Sequence, residues 1–132
     1  EAVLAACEAW RPSVLFLDFD LTLCTTRSGA DPLRGSHSVD PELHEAATRY
    51  TTHVLTRNRH TEQIGRFLEE RGVPVVAIHS TPSRESKASY MHAVLGADHN
   101  ATALFVDDDA NEVQDKRVAE DERIFRVLFQ RM

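Results

Sequence analysis

The chain has 132 residues, 42% of them hydrophobic, enough for one domain that buries roughly two thirds of its unfolded surface. Its 15 Lys and Arg against 21 Asp and Glu give a formal charge of −6, which argues against general binding to nucleic acid or to an anionic membrane through overall charge. No apolar run approaches the roughly 18 to 20 residues of a membrane span, and 5 Gly with 5 Pro exclude low-complexity and collagen-like chains.

The first element is a helix on which Val3, Leu4, Cys7 and Trp10 share one face and which Pro12 stops. A strand over 13–19 follows, and its continuous Val14-Leu15-Phe16-Leu17 run marks burial on both faces. Asp40-Pro41 opens the next helix as a capping residue followed by proline at the first helical position, with Leu43, Ala46, Ala47 and Tyr50 as its apolar stripe. Residues 53–56 form a second strand, and 61–71 a helix burying Ile64, Phe67 and Leu68 and ending at Gly72. A third strand spans 73–78, and Pro74 near its start places it at a sheet edge.

Ser83 caps a helix carrying Tyr90, Met91, Val94 and Leu95, which Gly96 closes. The fourth strand spans 102–107, a helix 110–119, and the fifth strand 124–129. Strands alternating with helices predict an α/β, Rossmann-like fold: five strands in a mostly parallel sheet with helices on both faces. One long segment, 23–39, is rich in Gly, Ser, Thr and Arg and exceeds the usual connection length, so it reads as a functional loop. The whole of 1–132 is read as a single domain.

Cys7 and Cys24 are too few for a disulfide scaffold and read as reduced thiols, which places the protein inside the cell, in the cytoplasm. The sequence opens on Glu1-Ala2-Val3 without a basic stretch leading into an apolar one. No signal peptide is therefore expected, and the chain reads as a domain of a longer protein.

In open α/β sheets ligands bind beyond the carboxyl ends of the strands. Strand one exits into Asp18-Phe19-Asp20-Leu21-Thr22, and strand two ends at Thr56, followed by Arg57, Asn58, Arg59 and His60. The helix after strand three carries Lys87 in its first turn, and strand four exits into Asp107-Asp108-Asp109. Four or more carboxylates at one edge repel unless a cation sits among them. All-oxygen ligands select a hard ion, Mg²⁺.

These segments resemble the haloacid dehalogenase (HAD) superfamily of phosphohydrolases. FLDFDLTL (Phe16–Leu23) is similar to its Asp-x-Asp-x-Thr motif, and HVLTRN (His53–Asn58) to the strand ending in Thr or Ser. Lys87 in SRESKASY fits the lysine motif, and LFVDDDANEV (Leu104–Val113) the acidic pair that ends a later strand.

The resemblance implies a Mg²⁺-dependent phosphomonoester hydrolase. Asp18 would be the nucleophile, forming an aspartyl-phosphate. Asp20 would protonate the leaving oxygen and then activate water; a second carboxylate there favours hydrolysis over dehalogenation. Mg²⁺ would be held by the carboxylates of Asp18 and Asp107 and by the backbone carbonyl of Asp20, with Asp108 bound directly or through water. Thr56 would hydrogen-bond a phosphoryl oxygen, while Lys87 would neutralise developing charge and keep Asp18 ionised.

Many members carry a cap domain. Here 35 residues lie between Asp20 and Thr56, partly used by the Asp40 helix, and 30 between Thr56 and Lys87, so no cap domain is expected. An open site suits a macromolecular phosphorylated substrate, such as a phosphoprotein or a nucleic-acid end, or a lid from another domain. Arg27, Arg34, Arg57 and Asn58 are the substrate-binding candidates beside it.

Three other readings compete with this one. A Cys-x5-Arg thiol phosphatase fails, because the residue six past Cys24 is Ala30. A signalling receiver needs an aspartate at the end of its third strand, where this chain has His79-Ser80. A catalytically silent module of the same superfamily, serving binding or regulation within a larger protein, is the alternative function.

Overall fold

Alternate residues of the central strand face opposite layers, and that alternation organises the molecule. In the computed structural model, which describes residues 1–28 and 31–130, strand β1 (Val14–Leu17) is buried along its whole length. Leu15 and Leu17 enter one apolar cluster, while Phe16 and Val14 enter the other. β1 pairs in parallel with β2 (Thr52–Thr56) on one side and β4 (Ala103–Asp107) on the other. β3 (Ala77–Ser80) adds outside β2 and β5 (Ile124–Leu128) outside β4, also parallel, giving the order β3-β2-β1-β4-β5.

Helices cover both faces. α1 (Ala2–Trp10), α2 (Pro41–Arg49) and α3 (Thr61–Glu70) bury Val3, Cys7, Leu43, Ala46, Ile64, Phe67 and Leu68 against one side. α4 (Ala88–Leu95) and α6 (Lys116–Ala119) bury Ala88, Met91, Leu95 and Val118 against the other. Each fully buried Leu, Ile or Phe contributes about 1.5–3 kcal/mol of transfer free energy. Asp40 caps α2 as its sequence predicts, its carboxylate accepting the Leu43 N–H at 3.0 Å. The strand order reverses direction between β1 and β4, and a crevice at such a point is where ligands gather in parallel sheets.

Several boundaries differ from the sequence expectation. β3 does lie at an edge, but it starts at Ala77 rather than at residue 73. Gly72, at φ 68°, turns the end of α3 so that the Gly72 and Val73 N–H groups cap the carbonyls of Glu69 and Leu68. Val73 is thereby consumed by the helix terminus, and the strand begins only beyond Pro74. α4 starts at Ala88, not near Ser83: residues 83–86 turn irregularly, and the Ser86 hydroxyl accepts the Ala88 N–H. Lys87 thus sits at the N-cap, one position before the helix.

The single helix expected over 110–119 is two short ones, α5 (Ala110–Val113) and α6, because Asp115 starts afresh by accepting the Arg117 N–H at 2.8 Å. Val94 is 38% exposed rather than in the core.

The connection from β1 to β2 contains a π turn (Phe19–Leu23), a loop and α2, and that from β2 to β3 contains α3. Among the described residues no further domain is inserted at either place. The long loop is tied at its base, where Cys24 bridges Val39 and the Asp40 N–H reaches the Leu23 carbonyl at 2.8 Å. Residues 29 and 30 within it, including the Ala30 of the thiol-phosphatase comparison, lie outside the described residues. No helix among those described is long and apolar enough to cross a membrane.

Candidate functional site

Asp18 leaves β1 with its N–H bound to the Val106 carbonyl of β4 at 3.0 Å, so its position is fixed by the sheet itself. The chain then closes two five-residue backbone bonds, Leu23 N–H to the Asp18 carbonyl and Cys24 N–H to the Phe19 carbonyl. Between them Leu21 adopts φ 60°, a left-handed conformation that costs a non-glycine residue about 1–2 kcal/mol. Phe19, Thr22 and Leu23 are buried around it and hold the turn. Its effect is to set the Thr22 hydroxyl 3.3 Å from Asp18 Oδ2 and 3.3 Å from Asp108 Oδ1. One hydroxyl proton serves one of these carboxylates at a time.

Lys87 reaches in from the start of α4. Its Nζ lies 3.1 Å from Asp18 Oδ1, 2.7 Å from Asp107 Oδ2 and 3.5 Å from Glu112 Oε2. Burial acts to lower the Lys87 pKa, but Asp18, Asp107 and Glu112 outweigh it and hold the ammonium above its usual value. Burial pushes Asp18 well above the usual carboxylate range, opposed by Lys87 and reinforced by Asp107 and Asp108. Burial also raises Asp107, again opposed by Lys87. Lys87 and Arg57 are two cations beside four carboxylates, Asp18, Asp107, Asp108 and Glu112, so the cluster is short of positive charge.

Carboxylate oxygens of Asp18, Asp107 and Asp108 all lie within 4.8 Å of one another. An all-oxygen donor set of this spacing fits a hard divalent cation such as Mg²⁺, which keeps several waters and uses few protein ligands. Asp109 stands outside this set and caps α5, its side chain accepting the Asn111 N–H at 2.9 Å. The Asp20 carboxylate lies outside the three-residue cluster and accepts both the N–H and the hydroxyl of Ser28, at 2.7 and 2.5 Å. Asn58 Nδ2 donates to that same hydroxyl at 3.3 Å, so Asn58, Ser28 and Asp20 form a chain.

Thr56 ends β2 at 1% exposure, and its Oγ1 accepts the Asn58 N–H at 3.0 Å. With that lone pair occupied, the hydroxyl proton is left to donate. These groups line a cleft of about 190 Å³ with six carboxylates and three cations, Arg27, Arg57 and Lys87, around it.

Arg27 is exposed on the cleft wall with no ion pair or hydrogen bond among the described residues. Arg34 stands apart from the cleft, its side chain 89% exposed and 3.7 Å from Asp31. The Arg57 guanidinium binds Glu112 through two nitrogens, at 3.0 and 2.8 Å, rather than pointing outward unpaired. Thr22, Ser28 and Glu112 are the site residues that sequence reasoning misses. Thr22 carries a signal in the Asp-x-Asp-x-Thr spacing, whereas Ser28 and Glu112 carry none.

A larger recess, about 870 Å³ between Trp10 and Arg123, lies at the other end of the sheet. Asp121 on its wall is bound by Arg123 at 2.9 Å. No protein-family model matches the chain, and no match is found among curated proteins.

Proposed function

We propose that the protein is a Mg²⁺-dependent phosphomonoester hydrolase of the haloacid dehalogenase type, acting through Asp18. The observation that carries this reading is the meeting of Asp18, Asp107 and Asp108 within 4.8 Å, with Lys87 bonded to the first two. Phosphoryl transfer asks a protein mainly for alignment and neutralisation of charge. A buried nucleophilic carboxylate beside a lysine and a hard-cation site meets both demands.

In this mechanism an Asp18 carboxylate oxygen attacks phosphorus in line with the ester oxygen, and the phosphorus–ester bond breaks. Asp20 delivers its proton to the departing oxygen, releasing an alcohol and leaving an aspartyl-phosphate. Asp20, now ionised, takes a proton from a water whose oxygen attacks phosphorus, which frees phosphate and regenerates Asp18. The Thr56 hydroxyl donates to a phosphoryl oxygen, and Lys87 offsets the charge that accumulates there. Mg²⁺, held by Asp18, Asp107 and Asp108, supplies further neutralisation when bound. The Asn58–Ser28 chain fixes the Asp20 side chain.

The cleft has no inserted domain over it among the described residues, which suits a phosphate presented on a protein or nucleic-acid end. Neither cysteine is in a disulfide, which fits the reducing cytoplasm. The receiver reading is disfavoured by strand order: signalling receivers of the flavodoxin-like type use 2-1-3-4-5, whereas this sheet runs β3-β2-β1-β4-β5. β3 also ends at Ser80, without a carboxylate to phosphorylate.

The deciding experiment is hydrolysis of p-nitrophenyl phosphate with Mg²⁺. Turnover lost in Asp18→Asn supports the mechanism. Absence of turnover with this and other phosphoesters would assign the chain to a silent binding module.

A further inference from the structure

Arg57 follows Thr56 at the exit of β2, where the sequence suggests contact with substrate. Its guanidinium is engaged inside the protein. Nε and Nη2 grip the two oxygens of Glu112 at 3.0 and 2.8 Å. Nη1 donates to the backbone carbonyls of Pro82 and Glu85, the latter at 2.7 Å, and more distantly to Thr81 at 3.4 Å. The oxygen of Glu112 that accepts from Nε is also the one 3.5 Å from Lys87 Nζ. A single side chain thus joins three pieces: the end of β2, the irregular residues 81–87, and α5.

That middle piece delivers Lys87. It has no strand or helix to keep it in place, and a segment held by few backbone bonds opens easily. A planar fork with five donors suits such a junction, because it meets a carboxylate in two places and still reaches carbonyls on another side. It also occupies Glu112, which otherwise competes with Asp18 and Asp107 for the same ammonium.

We propose that Arg57 is a positioning residue: through residues 81–87 and Glu112 it holds the Lys87 ammonium on Asp18 and Asp107, and it does not read the substrate. Its effect on turnover rests on the phosphatase reading, whereas its effect on Lys87 does not. An arginine that binds substrate raises KM when removed, whereas one that orders the catalytic groups lowers kcat.

The sequence makes a direct test available. It contains two lysines, Lys87 with a side chain 3% exposed and Lys116 at 86%. Amine acylation read by mass spectrometry, on the whole chain without metal or substrate, reports on both, with Lys116 as the internal reference. Lys87 is expected to react at least about tenfold more slowly than Lys116 in the wild type, and Arg57→Gln to narrow that ratio about fivefold, with faster amide exchange over 81–87. In p-nitrophenyl phosphate hydrolysis with Mg²⁺, Arg57→Gln is expected to lower kcat about tenfold while KM stays within about twofold.

A folded Arg57→Gln protein with the wild-type labelling ratio overturns the proposal. So does a rise in KM at unchanged kcat, which returns Arg57 to substrate recognition. If Arg57→Gln does not fold, Arg57→Lys replaces it, since it keeps a charge beside Glu112 but loses the fork that spans Glu112 and the carbonyls. A narrowed ratio then supports the proposal and an unchanged one overturns it. If the wild type hydrolyses no phosphoester, the phosphatase reading fails alone and the labelling ratio still decides the role of Arg57.

Discussion

The Lys87 ammonium lies 2.7 Å from the Asp107 carboxylate, although one arrives from the start of α4 and the other ends β4. Both groups are almost wholly buried, so their pairing is strong only because each removes a charge the other would otherwise leave unbalanced. Removing one partner of a buried pair costs about 3–5 kcal/mol. Lys87→Met is therefore expected to lower the melting temperature by about 10 °C or more at pH 8.

The loss has a defined pH dependence. Asp18 and Asp107 already have raised pKa values, burial being the main cause, and without Lys87 they rise further. The folded variant then binds more protons than the unfolded chain, so its stability recovers as pH falls from 8 toward 5. Thermal unfolding at both pH values checks this, and an unchanged melting temperature at pH 8 would refute it.

The proposed divalent-cation site rests on the same carboxylates. Saturating Mg²⁺ at about 100 times its dissociation constant is expected to stabilise the fold by about 2.7 kcal/mol, and Asp107→Asn to remove most of that gain. Protons compete for the ligands Asp18 and Asp107, whose pKa values are raised by burial, so the gain is larger at pH 8 than at pH 5.5. Melting temperatures with Mg²⁺ and with a chelator, at both pH values, test it; indifference to Mg²⁺ throughout would reject the site.

The legible and the illegible parts of this molecule divide by how far the cause lies along the chain. β1 and β4 are readable because burial on both faces demands an unbroken apolar run, and the carboxylates are readable because they sit directly on the ends of those strands. The start of β3 is misread because Val73 and Pro74 look like strand starters, whereas Val73 is used to close α3. The break between α5 and α6 depends on a cap at Asp115, inside an otherwise helical pattern. Glu112 shows the same limit at the site: nothing in the sequence marks it, because its partner Arg57 lies 55 positions away and is chosen by packing.

Packing behind the π turn carries its own prediction. Phe19 and Phe67 meet edge to face with centroids 5.7 Å apart, so the helix α3 supports the turn that presents Asp18 and Asp20. Phe67→Ala is expected to cost about 3–5 kcal/mol and to lower turnover as well. Val94→Ala, at a residue 38% exposed, is expected to change stability by no more than about 0.5 kcal/mol. Urea unfolding of both variants measures the contrast, and similar losses would contradict the assignment of Phe67 to the core and Val94 to the surface.

The last prediction concerns two histidines outside the cleft. His53 Nδ1 and His79 Nε2 are 3.1 Å apart, with ring planes 10° from parallel and centroids at 5.4 Å. Such a centroid separation at so short a nitrogen contact means the rings meet edge on, one donating its N–H and the other accepting. Burial lowers the pKa of His53, with His79 adding to the effect, and burial lowers that of His79. The unfolded chain therefore takes up protons near pH 6.5 while the folded chain resists them, so stability declines as pH drops below that value and levels off once the folded pair is protonated. His79→Phe is expected to lose about 1 kcal/mol at pH 7.5, the worth of the hydrogen bond, and to depend less on pH between 7.5 and 5. Urea unfolding across that range compares the two slopes; equal slopes would remove the histidine pair as the cause.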